Sequence, residues 1–277
     1  MRIANYEYAE IIGQGAFGKI YKGVNIRTGE KVVIKMESQD VEYSSLKHES
    51  SILNILYSKF CRNIPPTYWY GTNTELNRRV LVMPFYEESL ESFKAKTKKM
   101  ISNIMRSAIS ILNHIHDKYV VHRDIKPANF MIHNDELVLI DFGLASFYVD
   151  SNEKHILQNI KKNAHIIGTP KYASWNVHCG EEYSRRDDLL SVVYIGLFLI
   201  YGADLWIPDR TFESDINNSA IIHPRNQWFK MQKDKTNIYH MSSRWNELAE
   251  FSNDVYALSF QERPSYKKYI DSFSKTI

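Results

Sequence analysis

The amino-acid sequence predicts an α+β fold with two parts, a small antiparallel sheet with one helix followed by a larger, mainly α-helical part. Two observations support this division. Alternating and β-branched segments separated by turns occupy residues 8–35, whereas apolar residues spaced by three and four predict a long amphipathic helix over residues 100–118. The 277 residues contain no Pro/Gly/Ser-rich linker, so a single domain is expected.

Turn signals divide the two parts further. In the first part, the sequence predicts a helix over residues 43–57 and a strand over residues 80–83, which Pro84 ends because proline lacks a backbone N–H. In the second part, apolar runs at 130–132 and 137–140 predict a small hairpin. Further helices are expected at 189–203 and near 244–260.

Composition limits the location and the partners. Lysine and arginine exceed aspartate and glutamate by 35 − 32 = 3, and there is no apolar run of signal-peptide or membrane-spanning length. Cys61 and Cys179 are expected to be free thiols in a reducing compartment. The lysines at 94, 96, 98 and 99 are interpreted as a solvated helix end and not as a nucleic-acid site. We therefore expect an intracellular monomer, cytoplasmic or nuclear, that binds neither membranes nor nucleic acid.

A glycine-rich segment lies near the start of the chain. Glycine clusters often only form turns, but this G-x-G-x-x-G pattern is followed by an alternating strand, whereas a dinucleotide site requires a helix. We therefore predict a hairpin tip whose backbone N–H groups face phosphates. The residues of this predicted phosphate loop are Gly13, Gln14, Gly15, Ala16, Phe17 and Gly18.

Lys35 lies at the end of an otherwise apolar strand. A buried ammonium requires an anionic partner, and Glu49, 14 positions further along on the predicted helix, is the candidate. Such a pair would hold the ammonium against the α- and β-phosphates of a nucleotide. The alternative is that Lys35 extends to solvent, as many strand lysines do.

Two further segments carry groups suited to phosphoryl transfer. In the segment His122-Arg123-Asp124-Ile125-Lys126-Pro127-Ala128-Asn129, Asp124 is predicted to accept or orient a hydroxyl proton and Asn129 to bind a metal ion. A structural alternative, in which Asp124 only caps a turn before Pro127, explains one residue of the set. After the predicted hairpin, Asp141 of Asp141-Phe142-Gly143 offers a carboxylate suited to Mg²⁺.

The order of these motifs resembles that of eukaryotic protein kinases. The segments Gly168-Thr169-Pro170-Lys171-Tyr172-Ala173-Ser174 and Ser184-Arg185-Arg186-Asp187-Asp188-Leu189 resemble the casein kinase I family. The resemblance implies a bilobal kinase fold with a first lobe at 1–83, a hinge at 84–88 and a second lobe at 89–277. It also implies ATP and Mg²⁺ as cofactors and transfer of the γ-phosphoryl group to serine or threonine of protein substrates. Lys126 is the catalytic-loop feature typical of serine/threonine kinases.

The resemblance assigns further residues to the nucleotide and to the substrate. It implies that Met83 is the gatekeeper and that Pro84 and Tyr86 bind adenine at the hinge. The residues implied to sandwich the base are Ile12, Ile20, Val33 and Met131, each of which is also compatible with ordinary core packing. A basic groove for acidic or phosphorylated substrates would include Arg185 and Lys171.

One position departs from most kinases. Asn176 stands where most kinases have the glutamate of an A-P-E motif, which puts the usual ion pair with a late arginine, here Arg263, in doubt. A pseudokinase that serves as an ATP-binding scaffold is therefore the alternative function. The resemblance further implies activity without loop phosphorylation, and no autoinhibition by a C-terminal tail is expected.

Overall fold

The computed structural model describes residues 1–15, 18–58, 61–95, 97–160, 166–202 and 219–274, with side chains described except at 219–223. Contacts divide the chain into two compact units. The first unit comprises Met1–Leu90 and Phe130–Leu144, and the second comprises Glu91–Asn129 and Ala145–Ile277. The sequence-based boundary differs from this division, because it assigned residues 130–144 to the second lobe.

The first unit contains a six-stranded antiparallel sheet. Its strands are β1 (Arg2–Ile3), β2 (Tyr6–Gly15), β3 (Gly18–Asn25), β4 (Lys31–Ser38), β5 (Trp69–Asn73) and β6 (Arg78–Pro84), in the order β1-β2-β3-β4-β6-β5. One face of the sheet carries an apolar core of Ile3, Tyr6, Tyr8, Val32, Ile34, Met36, Val80 and Val82. The structure confirms the predicted meander, and β6 extends the predicted strand.

One helix and a small sheet complete the first unit. Helix α1 (Ser45–Leu56) begins after Ser44, whose hydroxyl accepts a hydrogen bond from the Lys47 N–H. Strands β7 (Glu88–Ser89), β9 (Phe130–His133) and β10 (Glu136–Leu139) form a sheet in the order β10-β9-β7. The predicted hairpin of β9 and β10 belongs to the first unit because β9 pairs with β7 and Asn63 donates to the Leu137 carbonyl.

The second unit is mainly helical. Its helices are α2 (Lys98–Asp117), α3 (Trp175–His178), α4 (Arg185–Tyr201), α5 (Ser219–Gln232), α6 (Lys235–Ser242), α7 (Asn246–Ala257) and α8 (Tyr266–Ser274), and β8 (Val120–Val121) pairs with β11 (Ser146–Phe147). Helix α4 is buried at every position from Leu189 to Phe198, because it packs against both α2 and α7. Helices α2, α4 and α7 match those expected from the sequence.

Two expectations from composition concern cysteines and membranes. Cys61 and Cys179 are both free thiols, as expected. Across the described ranges, no helix combines the length and the apolar character that crossing a membrane requires.

Candidate active site

One face of the six-stranded sheet carries candidate nucleotide-binding side chains. In the register of β3, β4 and β6, Ile20 and Leu81 lie opposite Lys35, and Met83 lies opposite Val33. Because side chains alternate along a strand, these residues share the face that points away from the apolar core. The strand register therefore places the apolar side chains of Ile20, Val33 and Met83 on the same face as the Lys35 ammonium.

The Lys35 ammonium is bonded to two carboxylates of the first unit. Its Nζ donates to both carboxylate oxygens of Glu49, at 2.7 and 2.9 Å, and to Oδ1 of Asp141 at 3.0 Å. Glu49 is buried on α1 and also accepts the Phe142 N–H at 3.2 Å. Burial by itself lowers the pKa of Lys35, but the two carboxylates outweigh it and hold the pKa above its ordinary value. Lys35 is therefore charged at neutral pH and does not extend to solvent.

The glycine-rich segment joins β2 to β3. Strand β2 ends at Gly15 and β3 begins at Gly18, while Ala16 and Phe17 lie outside the described residues. At Gly18, φ is +136° and an added Cβ would lie 2.0 Å from the Met36 carbonyl oxygen. Glycine at position 18 is therefore required by the packing of the sheet itself.

Gly13 lies in a different environment. An added Cβ would meet the Ile20 side chain at 3.5 Å, which is an ordinary contact distance, so the packing of the sheet does not require glycine there. Its neighbour Gln14 is exposed and pairs with Lys19 across the hairpin. Close approach of a ligand to the backbone remains a physical reason for glycine at position 13.

The predicted hinge follows directly from β6. Pro84 is the last residue of that strand, where a missing N–H interrupts no further pairing. The Tyr86 ring packs edge-on against His133 with 5.4 Å between ring centres, and burial raises the pKa of its hydroxyl to about 12. Met131 is half-buried on β9, and Ile12 is 43% exposed on β2. All described adenine-site candidates thus belong to the first unit.

In the second unit, Asp124 is bonded to a lysine and to a threonine. Lys126 Nζ donates to Asp124 Oδ2 at 2.7 Å and to Thr169 Oγ1 at 2.9 Å. Thr169 in turn donates to Asp124 Oδ1 from its backbone N–H at 2.8 Å and from its hydroxyl at 2.7 Å. An aliphatic hydroxyl is therefore within hydrogen-bond distance of the carboxylate, with an ammonium beside both groups.

Asn129 follows Asp124 by five residues and ends a short 3-10 helix. Its Nδ2 donates to the Asp124 carbonyl oxygen at 2.9 Å and to Oδ2 at 3.2 Å. Because the amide nitrogen is used in this way, the amide oxygen is the atom suited to a metal ion. Asp141, whose side chain is 47% exposed in the first unit, offers the hard oxygen that Mg²⁺ prefers. The first unit thus offers the Asp141 carboxylate, and the second unit offers the Asn129 amide oxygen, as candidate ligands for Mg²⁺.

The segment before Asp124 is held by Asp188 of α4. Asp188 accepts the backbone N–H of His122 at 2.8 Å and of Arg123 at 3.0 Å, and His116 Nε2 lies 3.0 Å from its Oδ2. Arg123 has a left-handed φ of 67°, a conformation that costs about 1–3 kcal/mol, so these bonds stabilise strained backbone. Burial raises the pKa of Asp188, but the bonds from His116 and His122 outweigh it and hold the pKa below its ordinary value.

Gly168 allows close approach to the catalytic loop. Its φ is +85°, and an added Cβ would lie 2.3 Å from the Arg123 carbonyl oxygen and 3.1 Å from Asp124 Oδ1. Any side chain here would displace either Thr169 or the loop that carries Asp124. From the sequence, Gly168 is only part of a family pattern, because the close approach involves residues far apart in the chain.

The two residues of the predicted basic groove lie in different environments. Arg185 is only 9% exposed, its Nη2 donates to the Gln261 carbonyl at 2.6 Å, and its guanidinium lies 4.7 Å from the Tyr148 ring centre. A guanidinium engaged in this way is not presented to a substrate anion, which argues against the prediction for Arg185. Lys171 is half-buried, with its ammonium 6.0 Å from the Tyr172 ring centre.

Asn176, the residue that departs from most kinases, is bonded to a buried carboxylate. Its Nδ2 donates to Asp187 Oδ1 at 3.1 Å, and the Ser174 hydroxyl donates to the same oxygen at 2.5 Å. Arg263 instead pairs with Asp117 at 2.7 Å on the exposed surface. An amide therefore suits position 176, because it donates to a carboxylate that a glutamate would repel.

A buried residue at the end of β4 supports the helix that carries Glu49. Glu37 is 3% exposed and accepts the N–H groups of Ser45 at 3.1 Å and Leu46 at 3.3 Å. A carboxylate at a helix N-terminus satisfies free N–H groups and complements the helix dipole. Sequence reasoning missed Glu37, because the carboxylate comes from the preceding strand and not from a position within the helix cap.

A comparison with known protein families gives a match that covers residues of both units. A family model described as the protein kinase domain matches residues 6–273. The match includes every candidate residue discussed above and agrees with the antiparallel sheet of the first unit and the helices of the second. This chain belongs to the protein kinase domain family.

Proposed function

We propose that this chain is an active serine/threonine protein kinase, similar to casein kinase I. It transfers the γ-phosphoryl group of ATP, with Mg²⁺, to serine or threonine hydroxyls of protein substrates. The observation that carries the proposal is the arrangement of Asp124, Lys126 and Thr169, in which a carboxylate, an ammonium and an aliphatic hydroxyl lie within 2.9 Å of one another.

The Thr169 hydroxyl supports serine or threonine as the acceptor residue. It donates to Asp124 at 2.7 Å, so this carboxylate can accept a hydrogen bond from a short aliphatic alcohol at an ordinary distance. In transfer, Asp124 would orient the substrate hydroxyl and accept its proton. Lys126 would stabilise the negative charge of the phosphoryl group as it is transferred.

The contacts of Lys35 support ATP as the donor. A charged ammonium held by Glu49 and Asp141 is oriented before any ligand arrives, and charge neutralisation of phosphates is the main electrostatic task in phosphoryl transfer. Asp141 and Asn129 each offer an oxygen suited to Mg²⁺, which would supply positive charge to the phosphate oxygens when bound. The packing of the sheet does not require glycine at position 13. Gly13 would instead allow the backbone to approach these phosphates closely.

The alternative of a pseudokinase was suggested by Asn176. The bond from Asn176 to Asp187 gives this residue a structural role that is compatible with activity. The ion pair of Lys35, the base candidate Asp124 and both metal-ligand candidates are also present. These observations favour the active enzyme over a scaffold.

A preference for acidic or phosphorylated substrates forms the finer part of the proposal. With Arg185 buried, Lys171 is the remaining candidate for a contact to a substrate anion. Lys171→Ala should then lower kcat/KM for an acidic peptide by a larger factor than for a matched neutral peptide. Equal effects on the two peptides would show that Lys171 does not contact the substrate anion.

The direct test measures phosphate transfer from radiolabelled Mg-ATP to casein and to a serine peptide, followed by phosphoamino-acid analysis. The wild-type protein should yield phosphoserine or phosphothreonine, and Asp124→Asn should lower turnover by about 10²–10⁴-fold, the usual contribution of a general base. Asp271→Asn makes the same chemical change at an exposed site and should leave turnover unchanged. No incorporation above that of Asp124→Asn, or phosphotyrosine as the product, would overturn the proposal.

A further inference from the structure

Lys233 is a fully buried lysine that lies immediately after α5 in the second unit. Its relative exposure is 0%, although lysine is among the residues least often buried. The side chain extends towards the segment Pro170–Ala173, called here the 170–173 loop, which directly follows Thr169. Its Nζ donates to the Pro170 carbonyl oxygen at 2.8 Å and to the Ala173 carbonyl oxygen at 2.6 Å.

The surroundings of the Lys233 ammonium are mainly aromatic. The ring centres of Tyr194 and Phe229 each lie 5.0 Å from Nζ, and His178 Nε2 lies 3.1 Å away. Burial lowers the pKa of Lys233 well below its ordinary value. A neutral amine still has two N–H donors, so either protonation state can satisfy the Pro170 and Ala173 carbonyls.

Backbone carbonyls from Thr169 to Ala173 accept hydrogen bonds from within this segment and from other elements of the second unit. The Thr169 carbonyl accepts the N–H groups of Tyr172 at 2.9 Å and Ala173 at 3.0 Å, which is a local turn. The Tyr172 carbonyl accepts the Ser191 hydroxyl at 2.7 Å, from α4. The carbonyls at both ends of the loop, those of Pro170 and Ala173, accept from the same amine of Lys233. Lys233 thus connects the two ends of the loop.

The bond between Thr169 and Asp124 depends on where this loop lies. Thr169 is joined covalently to Pro170, and its hydroxyl and N–H both donate to Asp124. Loss of the Lys233 bonds would leave the buried Ala173 carbonyl without its donor and the Pro170 carbonyl with His178 Nε2, 3.1 Å away, as its remaining partner. The Ala173 end of the loop would then have to shift to reach water. Such a shift would move Thr169 and the backbone that follows it.

We propose that Lys233 is a positioning residue for protein-substrate recognition, which holds the 170–173 loop in register with Asp124 through the Pro170 and Ala173 carbonyls. The inference rests on the proposed kinase function, because it assigns the loop to the side of the reaction that receives the phosphoryl group. It predicts a defect towards the protein substrate and not towards the nucleotide, whose described candidate residues, Asn129 apart, belong to the first unit.

The test compares Lys233→Met with Lys235→Met. Methionine has a similar length and fits an aromatic environment but donates no hydrogen bond, and Lys235 is exposed two positions away. Lys233→Met should lower kcat/KM for a serine peptide by about tenfold or more, with unchanged Mg-ATP affinity by calorimetry. Hydrogen exchange at the Tyr172 and Ala173 amides should become faster. Lys235→Met should match the wild-type protein in all three measurements.

Hydrogen exchange separates the two proposals. If the wild-type protein transfers no phosphate, the proposed function fails, while faster exchange at Tyr172 and Ala173 in Lys233→Met still supports loop positioning. A folded Lys233→Met with wild-type kcat/KM and wild-type exchange would overturn the inference. If Lys233→Met does not fold, Lys233→Gln, which retains N–H donors on a shorter side chain, should fold with an intermediate defect. Failure of both variants to fold would assign Lys233 to the core and would also overturn the inference.

Discussion

In the first unit, Lys35, Glu49 and Asp141 meet through side-chain ion pairs, whereas in the second unit the catalytic loop is held mainly through its backbone. The three charged residues come from a strand, a helix and a turn, and their contacts lie between 2.7 and 3.0 Å. Asp188 instead accepts two backbone N–H groups of the loop. The first site therefore depends on charge balance, and the second depends on backbone geometry.

This difference indicates which substitutions should affect stability and which should affect ligand binding. Removing the Lys35 charge removes an electrostatic contact for a ligand and leaves the buried Glu49 carboxylate without its cation, but it leaves the backbone of the sheet and its apolar core unchanged. Removing an acceptor from the second site releases strained backbone at Arg123, so that the fold and the chemistry should fail together.

The largest expected effect on stability is that of Asp188→Asn. The amide replaces one carboxylate oxygen that accepts a buried hydrogen bond, and removing one partner from a buried charged network typically costs about 3–5 kcal/mol. Urea denaturation should show this loss of free energy of unfolding, together with loss of turnover. Asp117→Asn breaks the exposed pair with Arg263 and should cost less than about 1 kcal/mol. Similar losses in the two variants would contradict the backbone-based account.

Asn176→Glu tests whether the departure from most kinases is adapted to this chain. The glutamate would replace a donor to Asp187 with a second carboxylate beside a buried one, at an expected cost of about 1–3 kcal/mol in the free energy of unfolding. Asn176→Gln keeps the amide and should cost less. If thermal denaturation shows that Asn176→Glu is as stable as the wild-type protein, the interpretation of position 176 is wrong.

Glu37→Gln tests the support of α1 in the first unit. The amide keeps one oxygen for the N–H groups of Ser45 and Leu46, but it loses the negative charge at the helix N-terminus and the oxygen that accepts the Ser44 hydroxyl. We therefore expect a loss of about 1–2 kcal/mol and faster hydrogen exchange in the first turn of α1. Glu42→Gln, at an exposed neighbouring position, is the control and should have no effect. Unchanged exchange in Glu37→Gln would mean that the helix start is held by Ser44 alone.

The smallest expected effect is a pH dependence at His178. Burial, followed by the charge of Lys233, lowers the pKa of His178 to about 2, so the folded protein keeps this imidazole neutral while the unfolded chain takes up a proton below its ordinary pKa. Stability from this source is complete above about pH 6.5 and falls with acidification by up to about 1.4 kcal/mol per pH unit. Between pH 7 and pH 6, denaturation should show that the wild-type protein loses more free energy of unfolding than His178→Gln does, by less than about 1 kcal/mol.

The exposed His240 provides the control for this pH effect. His240→Gln should leave the pH dependence of stability as steep as in the wild-type protein. Equal slopes for the wild-type protein and His178→Gln would show that His178 is protonated in the folded state, contrary to the account.

Much of the first unit could be predicted from the sequence, because its strands and its helix have recognisable local sequence patterns. An apolar strand ending in Lys35 and a helix bearing Glu49 predict a pair without knowledge of the full fold, and the structure brings these residues together. Strand β5 was missed, because Gly71 and Asn73 weaken its pattern and its pairing with β6 defines it. The positive φ of Asp141 could not be assigned from the sequence, because most aspartates adopt other backbone conformations.

The side-chain contacts of the second unit were harder to predict, because they join segments that are far apart in the sequence. Arg185 looked like a surface cation for a substrate anion, but the carbonyl of Gln261 and the ring of Tyr148 enclose it. Lys233 follows a helix without any local motif, and only the tertiary fold shows that it meets the Pro170 carbonyl. Burial of long charged side chains is a property of packing and cannot be inferred from spacing along the chain.

The most direct test of the account measures Mg-ATP affinity and phosphate transfer on two variants, one from each unit. Lys35→Met should weaken Mg-ATP binding and lower turnover, because it removes the ammonium held by Glu49 and Asp141. Asp124→Asn should bind Mg-ATP as the wild-type protein does and yet transfer almost no phosphate. Nucleotide affinity lost in Asp124→Asn, or turnover retained in either variant, would contradict the separate assignment of nucleotide binding to the first unit and of transfer to the second.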